Sequence, residues 1–175
     1  MKKAIMAAAV IAVLCFGGCS SQQEADTSPK EFDQGRVAAK IVIGEELKPF
    51  TLDDQFERPH TLDKDTKKVI FVFTKAMGHM VKGYLNNKPL SYLKERSTLF
   101  VADVSPMPSI IRNVFAIPDL QEHKYPVLLI LDEKFSQSYQ NAEQKEKIMI
   151  VTLDHFKVVK VEFVATEGDF KKAMN

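Results

Sequence analysis

The first candidate site in this chain is the run Met77-Gly78-His79-Met80. Two thioether sulfurs and an imidazole are donors that suit Cu(I). Met107 follows a neighbouring strand-like run and is the candidate for an additional ligand. A second interpretation makes Met77 and Met80 the first core residues of an amphipathic helix, because flexible methionines fill core space well. Both interpretations stay open here: core packing, or a Cu(I) site built from Met77, His79 and Met80.

The position of the cysteines restricts thiol chemistry. The chain has 175 residues and 2 cysteines, Cys15 and Cys19, which both precede residue 20. A thioether cannot ionise, attack a disulfide or form one, so the run at 77–80 offers no thiol nucleophile. We therefore expect a protein that is not an enzyme and that needs no cofactor, with Cu(I) as the alternative.

Charge and composition exclude further classes of function. The 24 basic and 23 acidic residues give a formal net charge of +1, which lacks the basic excess that nucleic-acid binding requires. The sequence has no metalloprotease, nucleophile-elbow or phosphate-loop motif. Asp54 is expected to be an ordinary loop carboxylate. His60, His123 and His155 lie in polar segments and are expected to be solvated.

The N-terminus has the pattern of a bacterial secretion signal. Lys2 and Lys3 precede an apolar run at 4–14, which is shorter than the ~20 residues of a membrane-spanning helix. The segment is similar to a lipoprotein signal, in which Cys19 would be acylated and become the first mature residue. Ser20 after that cysteine favours the outer membrane over the inner one. We expect a domain anchored in the lipid bilayer of the cell envelope and facing the periplasm.

Three regions follow from this pattern. Residues 1–18 form the secretion signal and residues 19–36 a polar, flexible tether with little apolar content. Residues 37–175 form the folded domain.

The domain alternates strand-like and helix-like patterns. The apolar run at 68–74 predicts a strand buried on both faces, and the helical stripe of residues 77, 80, 81, 84 and 85 follows it. Other strands are predicted at 40–44, 97–104, 126–131, 147–154 and 158–165, with a hairpin turn at 154–157. Other helices are predicted at 109–115, ended by Ile117-Pro118, and at 168–174, with a surface loop at 134–146. This order predicts an α/β fold with a mixed β-sheet flanked by helices.

The order of these segments resembles a redoxin-type member of the thioredoxin superfamily. The resemblance is carried by residues 43–55, by Pro59-His60-Thr61-Leu62 before the strand at 68–74, and by 125–132 (YPVLLILD). It implies a thioredoxin-like three-layer sandwich and a cis bond between Tyr125 and Pro126. Where that family places its redox CxxC, this chain has Met77-Gly78-His79-Met80. The family's usual Asp-Gly turn is replaced by Phe56-Glu57, so that turn must be built differently.

The resemblance implies one groove near the proline, at the carboxyl ends of the strands. Its expected lining is Met77, Gly78, His79, Met80, Met107, Tyr125 and Pro126. We expect a non-catalytic lipoprotein that binds an envelope protein or peptide there. The first alternative is a Cu(I)-handling protein. The second is a thiol-disulfide oxidoreductase-like role in which the thiol comes from a partner or from an unacylated Cys19.

Overall fold

The computed structural model describes residues 41–175. The expected signal, the tether, the acylated Cys19 and the start of the domain at residue 37 lie outside the described residues. Within residues 41–175, no helix has the length and apolar character needed to cross a bilayer.

Five strands form the central sheet, and two short strands form a separate hairpin. The hairpin consists of β1 (Thr51–Asp53) and β2 (Pro59–Thr61), and the sheet of β3 (Lys68–Val72), β4 (Thr98–Asp103), β5 (Leu128–Ile130), β6 (Ile148–Asp154) and β7 (Lys157–Val164). The sheet order is β5-β4-β3-β6-β7. β3, β4 and β5 are parallel, whereas β6 and β7 are antiparallel to their neighbours. The mixed sheet predicted from the sequence is therefore confirmed.

Helices cover both faces of this sheet. They are α1 (Lys75–Asn86), α2 (Tyr92–Glu95), α3 (Ser109–Ile111), a π-helical turn (Arg112–Ala116), α4 (Ile117–Gln121), α5 (Glu133–Tyr139), a 3₁₀ turn (Ala142–Gln144) and α6 (Glu167–Met174). Val81 of α1 and Phe170 of α6 belong to the core on one face. Tyr139 of α5 belongs to the core on the other face. Because residues of β3 alternate between the two cores, β3 is buried on both sides, as its apolar run predicts.

The expected strand at 40–44 is wrong for its described part. Residues 42–45 form a turn, closed by the Glu45 N–H that donates to the Val42 carbonyl oxygen, and in it Gly44 has φ +95°, a left-handed conformation that favours glycine. The Gly44 N–H donates to the Val158 carbonyl oxygen at 2.8 Å. Val42 and Ile43 are exposed, so this β-branched run is not part of a paired ladder.

The expected surface loop at 134–146 is also wrong, because it contains α5 and the 3₁₀ turn. The Asp132 carboxylate caps α5 by accepting from the Lys134 N–H at 2.8 Å. Phe135 and Tyr139 are four residues apart, and their ring centroids lie 5.6 and 5.8 Å from that of Phe50. Tyr139 also stacks on Phe71 of β3 with ring centroids 5.6 Å apart, so two aromatic residues at helical spacing hold a polar helix against the sheet.

The prediction that Ile117-Pro118 ends the helix at 109–115 is wrong. The Ile117 N–H donates to the Arg112 carbonyl oxygen, five residues back, which makes a π-helical turn. Pro118 then lies in the first turn of α4, where a missing N–H is tolerated. The helical path therefore continues to Gln121.

Candidate functional site

A cavity of about 200 Å³ lies where β3 and β4 end. Its floor comes from the strands, one wall from α1 and the other from the helical path at 109–121. We call it the cleft. Its lining includes Val72, Gly78, His79, Phe100, Met107, Phe115, Leu120 and His123. In open α/β sheets, ligands bind outside the carboxyl ends of the strands, so this is the expected place for a site.

The N-terminus of α1 borders the cleft and has no side-chain cap. Thr74 is the N-cap residue, but its side chain makes no capping hydrogen bond. Its hydroxyl oxygen is buried and has no hydrogen-bond partner among residues 41–175. The first turn of α1 contains no acidic residue. The positive end of the helix dipole is therefore left to the cleft and to solvent.

The two methionines of the 77–80 run contact the core. Met77 and Met80 are partly buried and pack against the core beneath α1. His79 is exposed and borders the cleft together with Gly78. About 100° of rotation per residue places His79 on a different side of the helix from Met77. This arrangement gives no support to a site in which Met77, His79 and Met80 bind one Cu(I) ion.

The seven expected groove residues divide between three environments. Gly78, His79 and Met107 line the cleft. Tyr125 belongs to the core, against which Met77 and Met80 pack, and Pro126 borders a second cavity. The cis bond expected before Pro126 stays a prediction. Within the described residues, no group of three or more His, Cys, Asp or Glu side chains could hold a metal ion.

The backbone on both sides of Pro126 is already paired. The Gln55 amide nitrogen donates to the Tyr125 carbonyl oxygen at 2.9 Å, and its amide oxygen accepts from the Val127 N–H at 2.8 Å. Gln55 is 2% exposed. A peptide strand would have to displace this side chain to use the same groups. No spacing in the sequence singles out Gln55, and we did not predict it.

Asp54 builds the turn that replaces the family's Asp-Gly turn. Its carboxylate accepts from Arg58, from His60 and from the Phe56 N–H. Burial raises the pKa of Asp54, but these bonds and one from the Arg58 N–H outweigh burial and hold the pKa at about 2. Glu57 has φ 60°, the left-handed conformation that a glycine would otherwise supply. Asp54 is thus a structural group and His60 its partner, which corrects the expectation of a loop carboxylate and a solvated histidine.

His123 is buried in the wall of the cleft, which corrects the expectation that it is solvated. It is 7% exposed, and neither ring nitrogen has a hydrogen-bond partner within the described part of the chain. Burial, followed by the nearby Lys82, lowers its pKa to about 4. The ring is therefore neutral at pH 7, with one nitrogen that donates and one that accepts. Its exposed neighbours Glu122 and Lys124 hid this burial from sequence reasoning.

Beside the cleft, four large apolar side chains are exposed on the helical path at 109–121. They are Ile110, Ile111, Val114 and Phe115, and we call them the apolar ridge. Ile110 is 75% exposed and Phe115 65%. Their spacing groups them on one side of a helix, and the π-helical turn carries Val114 and Phe115. Grouped exposed apolar residues mark interaction sites in soluble proteins.

Comparisons with known proteins give matches only among solved structures. No family model matches the chain, and no curated protein matches it. A candidate protein disulfide isomerase from Bacteroides thetaiotaomicron matches with a TM-score of 0.52 and 18% identity, over 77% of this chain and 86% of that one. A peroxiredoxin-like protein from Aquifex aeolicus matches with a TM-score of 0.51 and 10% identity, over 79% and 88% of the two chains. At these identities, the likeness extends to the fold alone.

Proposed function

The chain has a thioredoxin-like fold, and we propose that it is a non-catalytic envelope protein that binds an extended segment of a partner protein. The single observation that carries the proposal is the apolar ridge beside the cleft. The partner segment has an apolar stretch with an aromatic side chain, flanked by carboxylates.

The absence of thiol chemistry supports a binding role. The sequence has no cysteine after Cys19, and the N-terminus of α1 carries Met77 and Met80 at the positions that resemble a CxxC. A helix N-terminus stabilises a thiolate, but it cannot make a nucleophile from a thioether. The chain therefore has a helix N-terminus where a reactive thiol would lie, but it has no thiol there.

Apolar contact and charge together define the partner. Burial of the ridge side chains would contribute about 25 cal/mol per Å² of apolar surface. Lys75 borders the cleft and Arg112 lies within the ridge helix, and neither pairs with a carboxylate among residues 41–175. Acidic residues beside the apolar stretch would pair with them and favour association. The Gln55 side chain already pairs with the backbone groups on both sides of Pro126. Side-chain contacts at the ridge are therefore favoured over the addition of a peptide strand at that proline.

The proposal includes the cellular location of the protein. An acylated Cys19 would anchor the domain in the envelope, facing the periplasm, at the outer membrane rather than the inner one. Cells that express the chain in labelled palmitate should incorporate label into the protein. Cys19→Ala should remove that label, and a labelled Cys19→Ala protein would contradict the assignment of the anchor.

Binding to the ridge can be tested with one defined peptide. The probe is a fluorescein-labelled decapeptide that has a tyrosine between two leucines, two glutamates at each end and three serines as spacers, and it is titrated with the full chain. I110S/V114S should weaken binding at least about tenfold, which is about 1.4 kcal/mol. The matched control I43S/V159S removes one exposed isoleucine and one exposed valine away from the ridge, and should change binding less than about twofold. Equal effects of the two double variants, or no binding to the full chain, would overturn the proposal.

A further inference from the structure

We infer that the cleft is a pocket for one phenol ring, which the tyrosine side chain of a bound partner segment would supply. This inference rests on the proposed function and deepens it, because it names the side chain that the cleft selects. It is carried by the size of the cleft, by its apolar lining and by the buried imidazole of His123.

The cleft has room for one six-membered ring. Its volume is about 200 Å³, and an apolar protein cavity of about 150 Å³ is enough to bind benzene. Val72, Phe100 and Leu120 supply apolar contact on separate walls. The exposed ring of Phe115 lies at its border and connects the cleft to the apolar ridge. A side chain that enters from the ridge can therefore reach the interior without crossing a charged surface.

His123 lines the cleft and would supply the polar contact when its ring turns a nitrogen towards a ligand. Both of its ring nitrogens are buried, and neither has a partner in the described part of the chain. A buried polar atom without a partner is unfavourable, so a ligand that pairs with it gains over one that does not. A phenol hydroxyl can donate to the unprotonated ring nitrogen, whereas a phenylalanine ring cannot. This is the condition under which a site discriminates strongly between two ligands that differ by one hydroxyl.

The charges around His123 favour a neutral ligand group. Lys82, Asp119 and His79 act on it electrostatically, and the ring of Tyr125 lies 5.3 Å from its own. Lys82 and Asp119 pair with each other at 3.4 Å across the wall of the cleft. This pair is closed, and the Asp103 carboxylate, which also lines the cleft, accepts from the hydroxyl groups of Ser105 and Ser136. Lys75, at the border of the cleft, is left for a carboxylate beside the aromatic side chain of the partner segment. Thr74, on the α1 side of the cleft, adds a buried hydroxyl without a partner among residues 41–175, which a phenol oxygen could also engage.

The test uses two small molecules, p-cresol and toluene, which are the side-chain analogues of tyrosine and phenylalanine. Each is titrated into the full chain in one detergent, so that partition into the micelle is the same for every variant. We expect the wild-type chain to bind p-cresol at least about tenfold more tightly than toluene. His123→Phe keeps a planar ring and should bind both compounds equally. His155→Asn, in an exposed turn whose positive φ asparagine tolerates, should keep the wild-type preference.

A measurement on the wild-type chain makes the test independent of how well the variant folds. In the ¹⁵N spectrum of the histidine rings, p-cresol should move the two His123 resonances, and toluene should leave the accepting nitrogen unchanged. Equal affinities for the two compounds in the wild-type chain, or His123 resonances that p-cresol does not move, would overturn the inference. If that happens while the decapeptide still depends on the ridge, the proposed function stands and the phenol pocket fails. If p-cresol binds as expected and the decapeptide does not bind, the phenol pocket is supported and the proposed function fails.

Discussion

The amide nitrogen of Gln55 lies 2.9 Å from the carbonyl oxygen of Tyr125 and donates a hydrogen bond to it. Its amide oxygen accepts from the Val127 N–H, so one side chain satisfies the peptide groups on both sides of Pro126. The Gln121 side chain in turn donates to the Gln55 carbonyl oxygen at 3.0 Å. These hydrogen bonds connect the turn after β1 with the segment before β5 and with the end of α4. The Tyr125 carbonyl and the Val127 N–H could pair with an extended peptide at Pro126. They are instead paired with Gln55, which is bonded to Gln121 at the end of α4, in one wall of the cleft.

Gln55→Ala should destabilise the domain by about 3 kcal/mol. The substitution leaves a buried carbonyl and a buried N–H without partners, and each such group costs about 1–3 kcal/mol. Urea unfolding of the full chain, followed by tyrosine fluorescence, measures the change, because all 4 tyrosines lie in the described domain. Gln137→Ala is the control, since Gln137 is exposed and makes one surface hydrogen bond. A similar effect of both substitutions would show that Gln55 has no special structural role.

Asp54 should make the stability of the domain depend on acid pH. Its pKa is lowered from 3.8 to about 2 in the folded chain, so folding favours the charged carboxylate. The stability that it contributes, about 2 kcal/mol, is therefore complete above pH 4 and is lost as the pH falls towards 2. Unfolding in urea at a series of pH values measures this loss.

Asp54→Asn should lower stability at pH 7 and flatten the acid limb of the profile. Asp53→Asn is the neighbouring control, because Asp53 is exposed on β1. A wild-type profile that does not fall between pH 4 and pH 2, or an unchanged acid limb in Asp54→Asn, would contradict the role assigned to this carboxylate.

The central strands and α1 could be predicted because each carries its own pattern. The continuous apolar run at 68–74 indicates β3, and the spacing of Met77, Val81 and Tyr84 indicates α1. α5 lacks such a pattern: two aromatic residues in a polar segment carry its packing, and their partner Phe50 is distant in the chain. Local periodicity cannot detect a helix that is held by so few long-range contacts.

The candidate site was only partly accessible to sequence reasoning for the same reason. The sequence predicted a site after β3 and β4, because parallel strands end at one edge of the sheet, and the cleft lies at that edge. His123 is buried because its ring packs against that of Tyr125 in the wall of the cleft, and its own neighbours in sequence are exposed and charged. The role of Gln55 depends on contacts about seventy residues away in the chain. Neither residue type is unusual, so tertiary structure alone identifies them.

The placement of the methionines predicts weak Cu(I) affinity. Met77 and Met80 contact the core, and His79 projects from a different side of α1. We expect no stoichiometric binding of Cu(I) tighter than about 1 μM in a competition titration under reducing conditions of the chain with Cys15→Ser and Cys19→Ser, which removes both thiols as Cu(I) ligands. Met77→Leu/His79→Ala/Met80→Leu in the same background should give the same result. If the chain binds Cu(I) tightly and this triple variant does not, Met77, His79 and Met80 form a soft-metal site, and the interpretation of the methionines as core residues is wrong.

The lack of a thiol beyond Cys19 predicts that the full chain does not reduce insulin. Disulfide reduction needs a thiolate that attacks one sulfur and a second thiol that resolves the mixed disulfide, and two thioethers supply neither. Insulin turbidity in the presence of dithiothreitol should therefore rise no faster with the protein than without it. Activity that Cys19→Ser removes would assign the reaction to an unacylated Cys19, and activity that survives Cys19→Ser/Cys15→Ser would require a nucleophile of another kind. Either result would contradict a non-catalytic role, because binding at the ridge and the cleft transfers no electrons.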